Sequence, residues 1–504
     1  MTSSLSATTI PATVDLNDIQ GMVRFGYKHL TEACFVLLRT KDREAARAWL
    51  ATVPVSSAAT MEPTPDTALQ VAVSCEGLRA LSVPEDIVGA FSPEFVSGLG
   101  QDANRARRLG DVGTNAPDQW LWGTGSRVPH VLVLLYASPG RLAALQQAVE
   151  AQCAAGFDIL ACLPTTDMNG VEPFGFADGI SQPQLDWERQ RAVRDQEQQT
   201  YANRSCLGEY LLGYPNEYGG YTDRPMLDPQ RDGAALLPRA EDAPDRADLG
   251  RNGSYLVMRQ LRQNVHGFWQ FVDAQAGANA SARERLAAAM VGRTLAGVPV
   301  VEAAGASPTA SDATPDLNAF DFRSDPRGVR CPLGAHVRRT NPRNADLPPG
   351  RPGIFSWLMR TLGLDAAALE QDCVASTRFH RVLRRGREFG SPVSLDEALR
   401  GTANDDGPGL HFICLGANIV RQFEFVQGAW VAGTHFDRLH NESDPLLGSH
   451  QPALDGAATD GFSMPQSEGP DQRLDGLPQF VTVVGGAYFF LPGIRALRYL
   501  TTAR

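Results

Sequence analysis

Apolar and polar positions change period repeatedly over the first ~170 residues, and each change marks an element. The run ACFVLLRT, Ala33 to Thr40, predicts a strand, and Asp18 to Tyr27 reads as a second β-rich segment. Asp42 stands where a helix N-cap belongs. Ala45, Ala46, Trp49 and Leu50 behind it share one helical face. LQVAVS, Leu69 to Ser74, predicts another strand, followed by a short helix from Glu76 to Leu81. HVLVLLYA, His130 to Ala137, is the clearest strand. Ser138-Pro139 then opens a helix with Leu142, Leu145 and Val149 at helical spacing. The order β-α-β-β-α-β predicts a ferredoxin-like sheet with helices on one side.

The rhythm returns less regularly later. Tyr255 to Leu261, Leu410 to Leu415 and Val481 to Val484 are candidate strands, and Ala280 to Val291, Leu395 to Leu399 and Arg421 to Val431 candidate helices. Gly-, Pro-, Asp- and Ala-rich segments separate them: Asp223 to Gly250, Val301 to Pro315, Leu347 to Gly353 and Ser443 to Gly476. The expected division is a flexible N-terminus over 1–15, one ferredoxin-like half over 16–170, and a second half over 171–504 carrying long loop insertions.

Composition narrows the function classes. With 504 residues the chain can bury one large core or two packed ones. Hydrophobic content of 43% and charged content of 20% are ordinary for a globular protein. A net charge of −11 argues against a nucleic-acid partner, which wants a basic surface. No apolar run reaches the ~20 residues of a membrane helix. Met1 to Val14 lacks the charge and apolar pattern of a secretory signal, so a cytoplasmic location is expected. The eight scattered cysteines read as reduced thiols.

Three clusters carry candidate chemistry. Gly175-Phe176-Ala177-Asp178-Gly179 places a carboxylate between glycines that permit close approach of a flat ligand; an Asp-capped turn is the plainer alternative. CPLGAHVRRTNPR, Cys331 to Arg343, offers His336 as a ligand for haem iron, with nearby arginines for its propionates. A hydrogen-bonded structural histidine, a solvated basic face and ligation by the Cys331 thiolate are the alternatives. Phe379 to Gly390 holds Arg384 and Arg385, either of which could stabilise a peroxide anion, or lie on a salt-bridged strand. No Walker loop, dinucleotide fingerprint, nucleophile elbow or zinc-ligand spacing is present.

Together and in this order, the clusters resemble the dye-decolourising peroxidase family. Its Gly-x-x-Asp-Gly signature stands at Gly175 to Gly179, its proximal histidine segment at CPLGAHVRRTNPR and its distal arginine segment at VLRRGREFG. The likeness extends to GEYLLGYPNEYG, GSYLVMRQLRQNVHGFW, RQFEFVQGAW and GGAYFFLPG, as in longer bacterial members. It implies an α+β fold of two ferredoxin-like halves, antiparallel sheets packed by helices, with haem b held between them. It also implies peroxide reduction and one-electron oxidation of dyes or phenolic donors through ferryl haem.

The roles implied are residue by residue. His336 ligates iron, and Asp178 and Arg384 activate peroxide, with Arg385 the fallback. Gly179, Ile180, Ser181, Asn341, Pro342, Arg343 and Arg384 contact the cofactor. Asp178 would take a proton from peroxide and return it to the departing oxygen, which predicts an acidic optimum. Trp430 and Tyr488 are candidates for a surface residue relaying electrons from bulky dyes. Arg351 to Cys373 could be a lid, and a homodimer is left open. One departure is expected: relatives often carry a carboxylate for the histidine just before RQFEFVQ, where this chain has Val420. A weaker partner would raise the iron potential. The rival functions are a haem carrier using the same His336, and a non-enzymatic dimerising or cargo module.

Overall fold

The computed structural model describes residues 13–60, 62–190, 204–303, 316–343, 377–401, 407–453 and 455–503. The first half runs β1 (Glu32–Thr40), α1 (Arg43–Thr52), β2 (Thr67–Val73), β3 (Val131–Ala137), α2 (Leu142–Cys153) and β4 (Phe157–Pro164). The second half contains β5 (Ser254–Gln263), α3 (Val265–Gln275), α4 (Ala280–Val291), α5 (His336–Thr340), β6 (Leu383–Arg384), β7 (Arg387–Phe389), β8 (Gly409–Gly416) and β9 (Val481–Leu491).

Strand order across the sheet is β6-β8-β5-β9-β2-β3-β1-β4, with β7 also on β8, and its pairings are antiparallel. Each set of four has the same internal order, so the ferredoxin-like unit occurs twice, as the strand periods and the resemblance led one to expect. The halves join through one pairing, Phe490 of β9 with Val73 of β2.

Alternation along β1 divides its side chains between two cores. Cys34, Val36 and Leu38 enter one, with Trp49 and Leu50 of α1 and Val149 of α2. Phe35 and Leu37 enter the other, with Leu132 and Leu134 of β3 and, from the second half, Leu256, Met258, Ile413, Leu415 and Phe489. The second core therefore holds the two halves together. Each such side chain, fully buried, contributes roughly 1.5–3 kcal/mol. Asp42 caps α1 by accepting the Ala45 N–H at 2.8 Å.

Two expected elements differ. Asp18 to Tyr27 contains no strand; its N–H groups close local turns, Val23 to Gln20 and Arg24 to Gly21. Gly21 sits so close to the Tyr27 hydroxyl that a Cβ there would overlap it, at 2.0 Å. The helix expected at Arg421 to Val431 forms, but with wide turns, Glu424 N–H donating to Ile419 and Ala432 N–H to Gln427. Such turns are rare and concentrate at functional sites. Most of the expected loop Val301 to Pro315, all of Leu347 to Gly353 and the suggested lid Arg351 to Cys373 fall outside the described residues. Among the described residues no helix is long and apolar enough to cross a membrane.

Candidate active site

A cavity of about 290 Å³ opens beside the sheet of the second half. Its walls come from β5, β6, β8, α4, α5, the wide helix and the loop Glu172–Pro183. Every lining residue follows residue 171. The first half reaches its rim through Lys28, whose Nζ donates to the Gly179 carbonyl at 3.4 Å.

The three sequence clusters converge here. Asp178, Ile180, Ser181, His336, Asn341, Arg343 and Arg384 all line the cavity. Gly179 and Pro342, their neighbours in sequence, are not among the lining residues. Arg384 donates from Nη1 to Asp178 Oδ1 at 3.0 Å and from Nη2 to the Ser181 carbonyl at 3.3 Å. Gln182 fixes the Arg384 backbone from both sides, Oε1 accepting its N–H at 3.1 Å and Nε2 donating to its carbonyl at 3.2 Å. The Arg384 guanidinium beside Asp178 holds its carboxyl below the usual carboxylate range against the opposing effect of burial. Arg385 points away, donating to the Met22 and Val23 carbonyls. The geometry therefore separates the two arginines that the sequence left open.

In the same cavity, His336 starts α5. Its Nδ1 lies 2.9 Å from Asp444 Oδ2. A carboxylate only accepts, so Nδ1 carries a proton; burial works against the charged ring, but Asp444 brings it above the ordinary histidine value. Asp444 is fully buried, and its Oδ1 accepts the Leu446 and Leu447 N–H groups at 2.9 Å each. Burial pushes its carboxyl up, but His336, that hydrogen bond and Arg339 bring it below the ordinary range. The missing-carboxylate expectation at Val420 is thereby overturned: Val420 is exposed, and the histidine's partner comes from a loop 108 residues away in sequence. The expected rise in iron potential loses its basis.

Other expectations are corrected. The Cys331 thiol does not line the cavity; it packs with Val301, Phe320, Phe322 and Ala335, and burial pushes it up to about 12. Arg338 and Arg339 are buried on backbone carbonyls, Arg338 on Asp325 and Cys331, Arg339 on Trp430, Gly433 and Glu442. They brace the histidine segment and do not line the cavity. Of the electron-relay candidates, Trp430 is half-buried and lines the cavity, and Tyr488 is buried with its hydroxyl on Glu424 at 2.9 Å. Of the seven described cysteines, only Cys162 is exposed, and all seven are free thiols.

Sequence reasoning missed Glu172, Gln263, His380 and Asp444. Glu172 and Gln263 line the cavity and bond to each other at 2.8 Å. His380 stacks on Phe425 with centroids 3.6 Å apart, and burial pushes it down to about 4, so it is a neutral wall residue. Glu172 was legible as the acidic residue six positions before Asp178. Asp444 carried no local signal.

Comparison with known proteins gives a consistent picture. Peroxidase 2 of Mycetinis scorodonius is 28% identical, covering 98% of this chain and 89% of its own. The multifunctional dye peroxidase DyP2 of an Amycolatopsis species is 29% identical over 86% of this chain and 82% of its own. A dye-decolorizing peroxidase solved with 2,6-dimethoxyphenol superposes with a TM-score of 0.72 at 25% identity, covering 97% of this chain and 100% of that one. A fungal enzyme from Auricularia auricula-judae shares the fold, with a TM-score of 0.70 at 23% identity, covering 97% of this chain and 100% of that one. No family model matches the chain.

Proposed function

This chain belongs to the dye-decolourising peroxidase family of hydrogen-peroxide-dependent enzymes, and we propose that it uses haem b to oxidise dyes and phenolic donors by one-electron steps. The phenolic class follows from the relative solved with 2,6-dimethoxyphenol. The observation that carries the reading is the meeting of two polar sets in one cavity: the Asp178–Arg384 pair at 3.0 Å, and His336 with Nδ1 fixed on Asp444 at 2.9 Å.

The donor set fits a haem. Among the described residues no hydrogen bond occupies Nε2 of His336, and in the neutral ring that nitrogen would hold the iron. Phe174, Phe176, Ile180, Phe412 and Leu447 offer apolar walls to a flat ring. Asn341 and Arg343 line the same cavity and would offer an amide and a cation to carboxylate side arms; the Arg343 guanidinium is held by the Asn318 and Phe320 carbonyls. Asp444 makes the imidazole a stronger electron donor, as a carboxylate on the distal ring nitrogen does generally. When bound, haem supplies the redox-active iron that accepts oxidising equivalents from peroxide.

The chain's own residues manage the proton. Asp178, ionised through its pairing with Arg384, would accept a proton from one peroxide oxygen and return it to the other as the O–O bond breaks. Arg384 holds the negative charge that appears meanwhile; one fixed donor of this kind is worth about 10²–10³ in rate. A carrier that only stores haem has no use for this pair.

One experiment tests the reading. Absorption spectra of holoprotein before and after hydrogen peroxide should show a rapid Soret change in wild type. His336→Ala should lose the native Soret band, and Asp178→Asn should keep it but respond to peroxide about 10²-fold or more slowly. A wild-type Soret band unmoved by peroxide refutes the proposal.

A further inference from the structure

Glu172 is a carboxyl in the cavity wall for which proton transfer at Asp178 has no evident need. Its Oε2 accepts the Phe174 N–H at 3.0 Å and Gln263 Nε2 at 2.8 Å, and its Oε1 accepts the Phe176 N–H at 3.0 Å. Phe176 also meets its backbone, since the Glu172 N–H donates to the Phe176 carbonyl at 2.9 Å. The segment so clasped leads directly into Asp178. It is flanked by Gly175 at φ +99° and Gly179 at φ +73°, both in the region only glycine enters freely, so the loop has little stiffness of its own. Asp178 is otherwise tied through its backbone, its N–H donating to Gly170 at 2.9 Å.

A loop turn could be capped by a neutral Asn or Ser. A carboxylate here stands near Asp178, whose charge it opposes, and burial pushes it up to about 7. That cost is hard to explain by capping alone. We propose that Glu172 is a positioning residue for the peroxide step, locking the Phe174–Phe176 backbone to Gln263 of β5 so that Asp178 meets Arg384 and the cavity at a fixed place. The proposal rests on the reading of Asp178 as the proton acceptor.

Ionisation makes it testable. An ionised Glu172 gives two acceptor oxygens to three donors. A protonated Glu172 and the glutamine introduced by Glu172→Gln are alike, each with one acceptor end and one donor end. The charged groups that act on it are Asp178 on its own loop and His336 from α5, while Arg384 from β6 and Arg293 after α4 line the same cavity; Gln263 from β5 is neutral. Arg384 holds Asp178 below the usual carboxylate range, so Asp178 changes little near neutrality.

Peroxide kcat/KM for the Glu172→Gln holoenzyme should match wild type within about twofold well below pH 7 and fall about 10- to 100-fold behind it above, because a displacement of order 1 Å costs about that much. The cyanide dissociation constant, read from the Soret shift, should diverge over the same pH window. A loss equal at all pH values, or none, overturns the proposal. Gln263→Met is the second variant: it keeps both backbone bonds and removes the donor that holds Glu172 down, so in this variant the pH dependence of the peroxide rate should move upward. No movement overturns the proposal too. Asp178→Asn in parallel separates the premises: if that variant keeps the peroxide rate, the reading of Asp178 fails; if it loses the rate while Glu172→Gln does not, only the positioning role fails.

Discussion

Asp444→Asn removes one charge from behind His336 and leaves the side-chain shape intact. The carboxylate accepts three hydrogen bonds, one from His336 Nδ1 on Oδ2 and two from the Leu446 and Leu447 N–H groups on Oδ1, each at 2.9 Å. An amide has one oxygen, so either orientation sets its NH2 against a donor. If the oxygen stays with Leu446 and Leu447, the NH2 faces His336 and favours the tautomer protonated at Nε2, which removes the lone pair a metal needs. If the oxygen turns to His336, two buried backbone donors lose their acceptor. A buried donor left unsatisfied costs about 1–3 kcal/mol, which is roughly 5- to 150-fold in an equilibrium constant.

Haem affinity, measured by titrating the apoprotein with haemin and following the Soret band, should therefore fall about 10- to 100-fold. The folded-state carboxyl lies below its ordinary value, so its contribution is complete above about pH 4 and is lost as pH falls through the folded value; wild type and variant should converge only in strong acid. Val420→Asp is the control, because an exposed position cannot serve His336. Wild-type affinity in Asp444→Asn, or a change in the Val420 variant, would refute the assignment of the histidine's partner.

Three further outcomes are expected. Arg384→Leu should retain haem and lose about 10²–10³ in the peroxide rate by stopped flow, whereas Arg385→Leu should spare the rate and lower the thermal midpoint, since its guanidinium ties the Met22 and Val23 carbonyls. Cys331→Ala should leave the Soret position unchanged, because the thiol packs outside the cavity; a shifted band would restore thiolate ligation. With Asp178 held low by Arg384, the peroxide rate of Glu172→Gln, in which position 172 no longer titrates, should persist as pH falls through about 4 and decline only below the lowered value. A rate already halved at about pH 5 in that variant would remove Asp178 as the acceptor.

Strands and their order were legible because burial on both faces leaves uninterrupted apolar runs, and β1, β3 and β5 begin and end within two residues or so of the expected limits. Asp18 to Tyr27 misled because its apolar residues serve a core without forming a ladder: Ile19, Met22 and Tyr27 pack while the backbone turns. The wide helix was legible as a helix and not as wide, since that difference lies in which carbonyl each N–H reaches.

The chemical residues divide along the same physical line. Asp178, His336 and Arg384 sit in dense local patterns, glycines around a carboxylate or arginines behind a histidine, and such patterns survive reading in one dimension. Asp444 and Gln263 do not. Each acts by pairing with a residue far along the chain, His336 across 108 positions and Glu172 across 91, and neither partner constrains its neighbours' residue types. The error at Val420 has the same origin. A carboxylate was sought at a position fixed by likeness, whereas the requirement is spatial: any buried carboxylate that reaches Nδ1 satisfies the imidazole. The Ser443–Gly448 turn, with the Gly448 N–H closing on the Asp444 carbonyl at 2.9 Å, delivers one. The groups that perform the reaction can thus be read from composition around them, while the groups that position those performers emerge only once the fold has brought both walls of the cavity together.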